Sequence, residues 1–192
     1  MGTLLRLRST IVRPSDATQY AAGDEVSNNA TANAVVLPTF DVSAFKRGRI
    51  LLAEIDILAA SGNVVTTAAD FELLIWRTIN VPAAVGDNVT NPLAAATRAL
   101  AVARFRFDDT GWMGPLGTVA AGTSQEQTVM PTVVQPLATN VLDASVPYRH
   151  FSLEGMKADS TRSLTASLRA IAAWNPGAVV NTIGITLDID VE

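Results

Sequence analysis

Apolar and polar residues alternate along much of this chain with a period of two, the repeat of a β-strand rather than a helix. The clearest case is the last run, TIGITLDIDVE (182–192). Ile183, Ile185, Leu187, Ile189 and Val191 fall on one side; Gly184, Thr186, Asp188, Asp190 and Glu192 fall on the other. At the other end, LLRLRSTIVR (4–13) places Leu5, Leu7, Ser9 and Ile11 opposite Leu4, Arg6, Arg8, Thr10 and Val12, before Pro14 and Asp16 break the pattern. RILLAEIDILAAS (49–61) predicts a third strand, with Leu51, Ala53, Ile55, Ile57 and Ala59 toward the core and Ser61-Gly62-Asn63 as its stop. FELLIWRTI (71–79) is apolar on both faces, which predicts either a buried central strand or a surface between subunits.

The segment 20–40 reads as a short strand, a Gly23-Asp24 turn, a polar loop and a second apolar run. Residues 81–99 read as loop with one helical turn near Leu93 to Ala96, and 99–109 as a strand. Residues 148–155 form another short ordered run, and 163–174 alternates strictly before an Asn175-Pro176-Gly177 turn. Alanines and leucines would also allow a helix over 163–174, but the alternation favours a strand. Eight to ten strands without a long helix predict an all-β fold: a single antiparallel β-sandwich over 1–192, jelly-roll-like, with long loops or an extended arm. The arm would be 111–147. There Gly111, Gly114, Gly117, Gly122 and four prolines forbid long regular elements, and only Glu126 and Asp143 are charged. A long crossover between sheets would produce the same composition.

Composition narrows the function. At 192 residues, a domain can bury roughly 70% of its unfolded surface. Charged residues make up only 17%, below the usual ~25%, as in a thick-cored β protein or one covered by partners. The net charge of −4 and the absence of any basic run argue against nucleic acid as a partner. There are no cysteines, so disulfides and thiolate metal sites are excluded. The start has no signal-peptide pattern, and no apolar run is long enough for a membrane span, so neither export nor a membrane partner is expected.

Catalytic candidates are few. His150 is the only histidine; Ser152 shares its strand face, but nothing indicates an orienting acid. Asp188, Asp190 and Glu192 sit about 6.6 Å apart along an extended strand and do not converge on a cation by themselves. If the terminal strands pair, Arg6 and Arg8 would face Asp188 and Asp190 across the ladder as cross-strand ion pairs. Trp76 and Trp174 lie in apolar runs and read as core. Trp112, with Met113 beside it and Met130 further on, is the candidate partner contact, either for a protein or, by ring stacking, for a sugar. No catalytic residue, cofactor or metal is expected, and the chain does not read as an enzyme.

Three segments carry a resemblance: DATQYAAGDEVSN (16–28), GRILLAEIDILAAS with FELLIWR behind it (48–61, 71–77), and LTASLRAIAAWNPGAVVNTIGITLDI (164–189). In order and spacing the chain resembles small virion proteins of tailed bacteriophages, of the head-decoration or capsid-fibre type. The Tyr20–Gly23 turn and the run into Trp174-Asn175-Pro176 carry it best, although members commonly have another residue in place of this Trp-Asn and a differently built middle. The resemblance implies a β-sandwich, often trimeric, made in the host cytoplasm and bound in the virion to the major capsid protein or another virion protein. A tail, baseplate or fibre component and a carbohydrate-binding module are the alternatives.

Overall fold

A computed structural model describes residues 2–15, 18–59, 70–107, 112–113, 125–129, 149–152, 162–176 and 181–192. Eleven strands are among them: β1 (Thr3–Arg13), β2 (Glu25–Val26), β3 (Thr39–Asp41), β4 (Arg47–Ala59), β5 (Phe71–Arg77), β6 (Ala103–Phe107), β7 (Trp112–Met113), β8 (Gln125–Val129), β9 (Arg149–Ser152), β10 (Ser163–Ala170) and β11 (Asn181–Val191). The one α-helix described, α1, is a single turn at Ala95–Arg98.

All pairings are antiparallel. The first sheet runs β1-β11-β4-β8-β7, with β9 also on β4; the second runs β2-β10-β5-β6, with β3 also on β10. Taking β2 with β3 as one interrupted strand and β8 with β9, which lie along the same edge of β4, as another, and setting aside the two-residue β7 on the far side of β8, leaves eight. The chain then changes sheet at every connection except β5–β6. The first and last strands lie side by side in one sheet, and the second lies beside the seventh in the other. That is the jelly-roll order of a double Greek key.

The alternation explains the packing. Ile183, Ile185, Leu187 and Ile189 of β11 meet Leu164, Ala166 and Leu168 of β10, Leu73 and Ile75 of β5, and Phe105 and Phe107 of β6 in one continuous core. Trp174 closes one end. Its ring stacks on Tyr20 at 5.2 Å and meets Phe71 edge-on at 5.1 Å. Tyr20 and Trp174 also exchange backbone hydrogen bonds of 2.8 and 3.1 Å, so the turn after β1 is tied to the end of β10. Gly23 in that turn has φ +97°, a conformation that suits a residue without Cβ.

One expectation changes. β4 keeps Ala53, Ile55 and Ile57 in the core, but its register against β11 shifts at Asp188/Ile189. The shift turns Ile50 inward and leaves Leu51 39% exposed, the reverse of a strict alternation. Within 111–147, residues 112–113 and 125–129 are strands of the first sheet; the rest of that stretch, including Met130, lies outside the described residues, as do Asp108 and Asp109.

β5 is the buried central strand of its sheet, between β10 and β6. Its second apolar face is covered by this chain: Leu74 and Trp76 form a separate cluster with Ala101, against which Val81 and Leu93 pack. The segment after β5 therefore folds back over the outside of the second sheet, and the apolar outer face of 71–79 needs no neighbouring subunit to explain it.

Candidate functional site

The outer face of the first sheet collects most of the charge that the sequence offered as possible chemistry. Arg6 lies directly across from Asp188, with its Nη1 3.3 Å from the carboxylate, and its Nη2 reaches past β11 to Glu54 on β4. Arg8 turns elsewhere. Its direct partner in the ladder is Thr186, but both guanidinium nitrogens donate to the two oxygens of Asp56 at 2.6 Å. Asp190 is held at 2.9 Å by Arg49, its direct neighbour on β4. Glu192 is 2.8 Å from Arg47. Of the four residues proposed for ion pairing, the fold thus joins Arg6 to Asp188 and gives Arg8 and Asp190 partners on β4.

Gly184 makes the Arg8–Asp56 pair possible. It lies on the middle strand, opposite both Thr10 and Asp56. A Cβ placed there would collide with the Asp56 carboxylate and the Arg8 guanidinium. With no side chain, β11 leaves a gap through which an arginine on one neighbour reaches an acid on the other. Glu54, Asp56, Arg47 and Arg49 were not singled out in the sequence. Their signal was there as two polar pairs at strand spacing, Arg47/Arg49 and Glu54/Asp56, separated by the apolar run 50–53, but which strand they would face is a tertiary property.

A second set of charges is buried at one end of the sandwich. Arg13, the last residue of β1, is fully buried. Its Nε donates to the Tyr20 hydroxyl at 2.7 Å, and that hydroxyl donates to Asp87 at 2.6 Å. Asp87 also accepts the Ser27 amide at 2.8 Å. Burial, reinforced by the Asp87 carboxylate, pushes the Tyr20 hydroxyl far above the usual phenol range, while Arg13 opposes the shift. Nearby, Glu25 accepts from the Val85 amide and the Asn91 side chain at 3.1 and 2.9 Å, and its other oxygen is buried without a hydrogen-bond partner. Burial raises its pKa above the ordinary 4.5, against the pull of those hydrogen bonds. These groups clamp the 20–30 turn to residues 85–91 rather than line an open cleft.

On the outer side of the second sheet, Glu72 is buried between Arg104 and Arg169. Trp76 and Trp174 are core, and the Trp76 indole N–H donates to Ser167 at 2.9 Å. The Trp112 and Met113 backbone pairs with Val129 and Thr128; His150 pairs with Arg49 at the outer edge of β4. Among the described residues, no three His, Cys, Asp or Glu side chains are grouped to hold a metal, and no helix is long and apolar enough to cross a membrane.

No family model and no curated protein matches this chain. Solved structures with some likeness include a virus-like particle of the giant freshwater prawn Macrobrachium rosenbergii nodavirus, at 10% identity and TM-score 0.33, covering 100% of this chain and 93% of that one. Cocksfoot mottle virus gives 11% and 0.32, covering 100% and 95%. The decameric BFDV capsid protein gives 13% and 0.35, covering 100% of both chains. Likeness at this level does not define a function.

Proposed function

We propose that this chain is a structural virion protein, a capsid decoration protein that binds the outer surface of a tailed-phage head as an oligomer. The observation that carries the structural reading is the state of its carboxylates. On the outer face of the first sheet, Glu54, Asp56, Asp188, Asp190 and Glu192 each sit against an arginine. Groups held this way serve shape and stability, not proton transfer or cation binding. The virion reading rests on the sequence resemblance, whose three segments form the Tyr20 turn, β4, β5, β10 and β11 and which the Tyr20–Gly23 turn and the run into Trp174-Asn175-Pro176 carry best. The partner is the major capsid protein, and the oligomer is the trimer that the resemblance implies.

The mechanism is linkage. A protein that binds the mature lattice and not its precursor stabilises that lattice by mass action, and many weak contacts on one shell add through avidity. Trp112, Met113 and Met130 are the proposed shell contacts.

The test is the copy number in purified particles by quantitative gel densitometry. A decoration protein is present in hundreds of copies, in proportion to the capsid lattice. A count of a few to tens would assign it to the tail, baseplate or a fibre instead. Glycan binding that Trp112→Ala abolishes would point to the carbohydrate-binding alternative.

A further inference from the structure

β1 is eleven residues long and lies at the end of its sheet, with β11 as its one strand neighbour among the described residues. Its register against β11 runs from Thr3 to Arg13 without a shift, and no proline interrupts it before Pro14. A long, regular edge strand exposes unpaired backbone donors and acceptors, and proteins usually guard such edges with charged side chains, bulges or prolines. Here the charged guards lean away from the edge. Arg13 is buried, so Arg6 and Arg8 carry the exposed charge of this strand, and although half or more of each side chain stays exposed, both heads reach across β11 to Glu54 and Asp56 on β4. That is about two strand spacings, or roughly 9.6 Å, from the edge. Toward either end of the strand, exposed apolar residues stand beside these arginines. Leu4 is 67% and Val12 51% exposed on the outer side, while Leu5 and Leu7 on the inner side are only partly buried against the core.

We propose that β1 pairs antiparallel with β1 of a second copy of this chain, about a twofold axis at Arg8. The occupant follows from the spacing. Leu4 and Val12 lie four residues either side of Arg8, on the same face. In this one register, each Leu4 faces Val12 of the other copy, Arg6 faces Thr10, and Leu5 faces Ile11 on the inner side. A shift by one residue turns the apolar set to the wrong face. A slip that moves the pairing by two leaves Leu4 against Thr10, or Val12 against Arg6. The two Arg8 residues that meet at the axis are each neutralised by a two-pronged bond to Asp56. Such a contact is isologous and closes on itself. It is independent of the virion reading and separate from any threefold association.

The absence of native cysteines gives a direct test in the full-length chain. The double variant Leu4→Cys/Val12→Cys, treated with a short bis-maleimide, yields a covalent dimer as the main product on a denaturing gel. Each single variant yields almost none, because like positions lie about 27 Å apart across the axis. In sedimentation, Leu4→Lys/Val12→Lys weakens self-association by roughly tenfold or more; both positions are exposed, so the variant folds as the parent does. Cross-linking no greater in the double than in the single variants would overturn the proposal, as would lysine variants that associate like the parent.

Discussion

The two outer faces of this sandwich are finished in opposite ways. Outside the second sheet, β5 presents Leu74 and Trp76, and the chain folds residues 78–102 back over them. Outside the first sheet, arginines of β1 and β4 are paired with the acids of β4 and β11 and with Glu192, and the large apolar side chains exposed there among the described residues, Leu4, Val12 and Leu51, have no covering segment like the one over β5. One face is closed by burial and the other by charge matching. The contrast shows why 71–79, apolar on both sides, is compatible with a monomer, and why the candidate contacts lie at an edge rather than on a face.

Substitutions on the two faces should differ sharply. Trp76→Ala removes a fully buried side chain from under the covering segment and is expected to cost about 3–5 kcal/mol in denaturant unfolding. Oligomeric state by light scattering should not change; dissociation would mean that 71–79 is a subunit surface after all. Gly184→Ala on the other face pushes a methyl group into the Arg8–Asp56 pair and should cost about 2 kcal/mol, because Asp56 is itself buried. An effect near zero would show that the pair rearranges freely.

Smaller effects sharpen the comparison. Glu25→Gln should stabilise the protein at neutral pH by about 1 kcal/mol, since it removes a buried charge while the bonds from Val85 and Asn91 to the remaining oxygen can persist. The sign follows from a folded-state pKa raised above 4.5: charged Glu25 costs stability at pH 7, and the cost is relieved as pH falls through the folded pKa. The gain from the substitution should therefore shrink toward acid; a constant gain in a pH series of melting curves would contradict it. Arg6→Ala should cost least, about 0.2–1 kcal/mol, because the arginine is more than half exposed. That cost should fade in 1 M salt, where the screening length is about 3 Å.

Much of the architecture was legible as period two. β1, β6, β10 and β11 lie where alternation places them, and the short helical turn falls at 95–98 against an expected Leu93 to Ala96. The terminal strands pair, and Arg6 meets Asp188. The register shift in β4 was not legible, because it depends on the partner strand: Ile50 and Leu51 are equally apolar, and nothing local says which turns inward. Nor was the cover over β5, since the same residues would serve a segment of the chain or a second subunit. Gly184 reads in sequence as a weak point of a strand; only with Arg8 and Asp56 on either side does it become a passage. The Arg13–Tyr20–Asp87 chain spans distant segments and has no local signature.

The most direct test of the virion assignment is a density map of the intact particle that carries this protein. The account predicts jelly-roll subunits repeated over the outside of the head in register with the capsid lattice. Subunits confined to the tail, or a head surface bare of them, would contradict it.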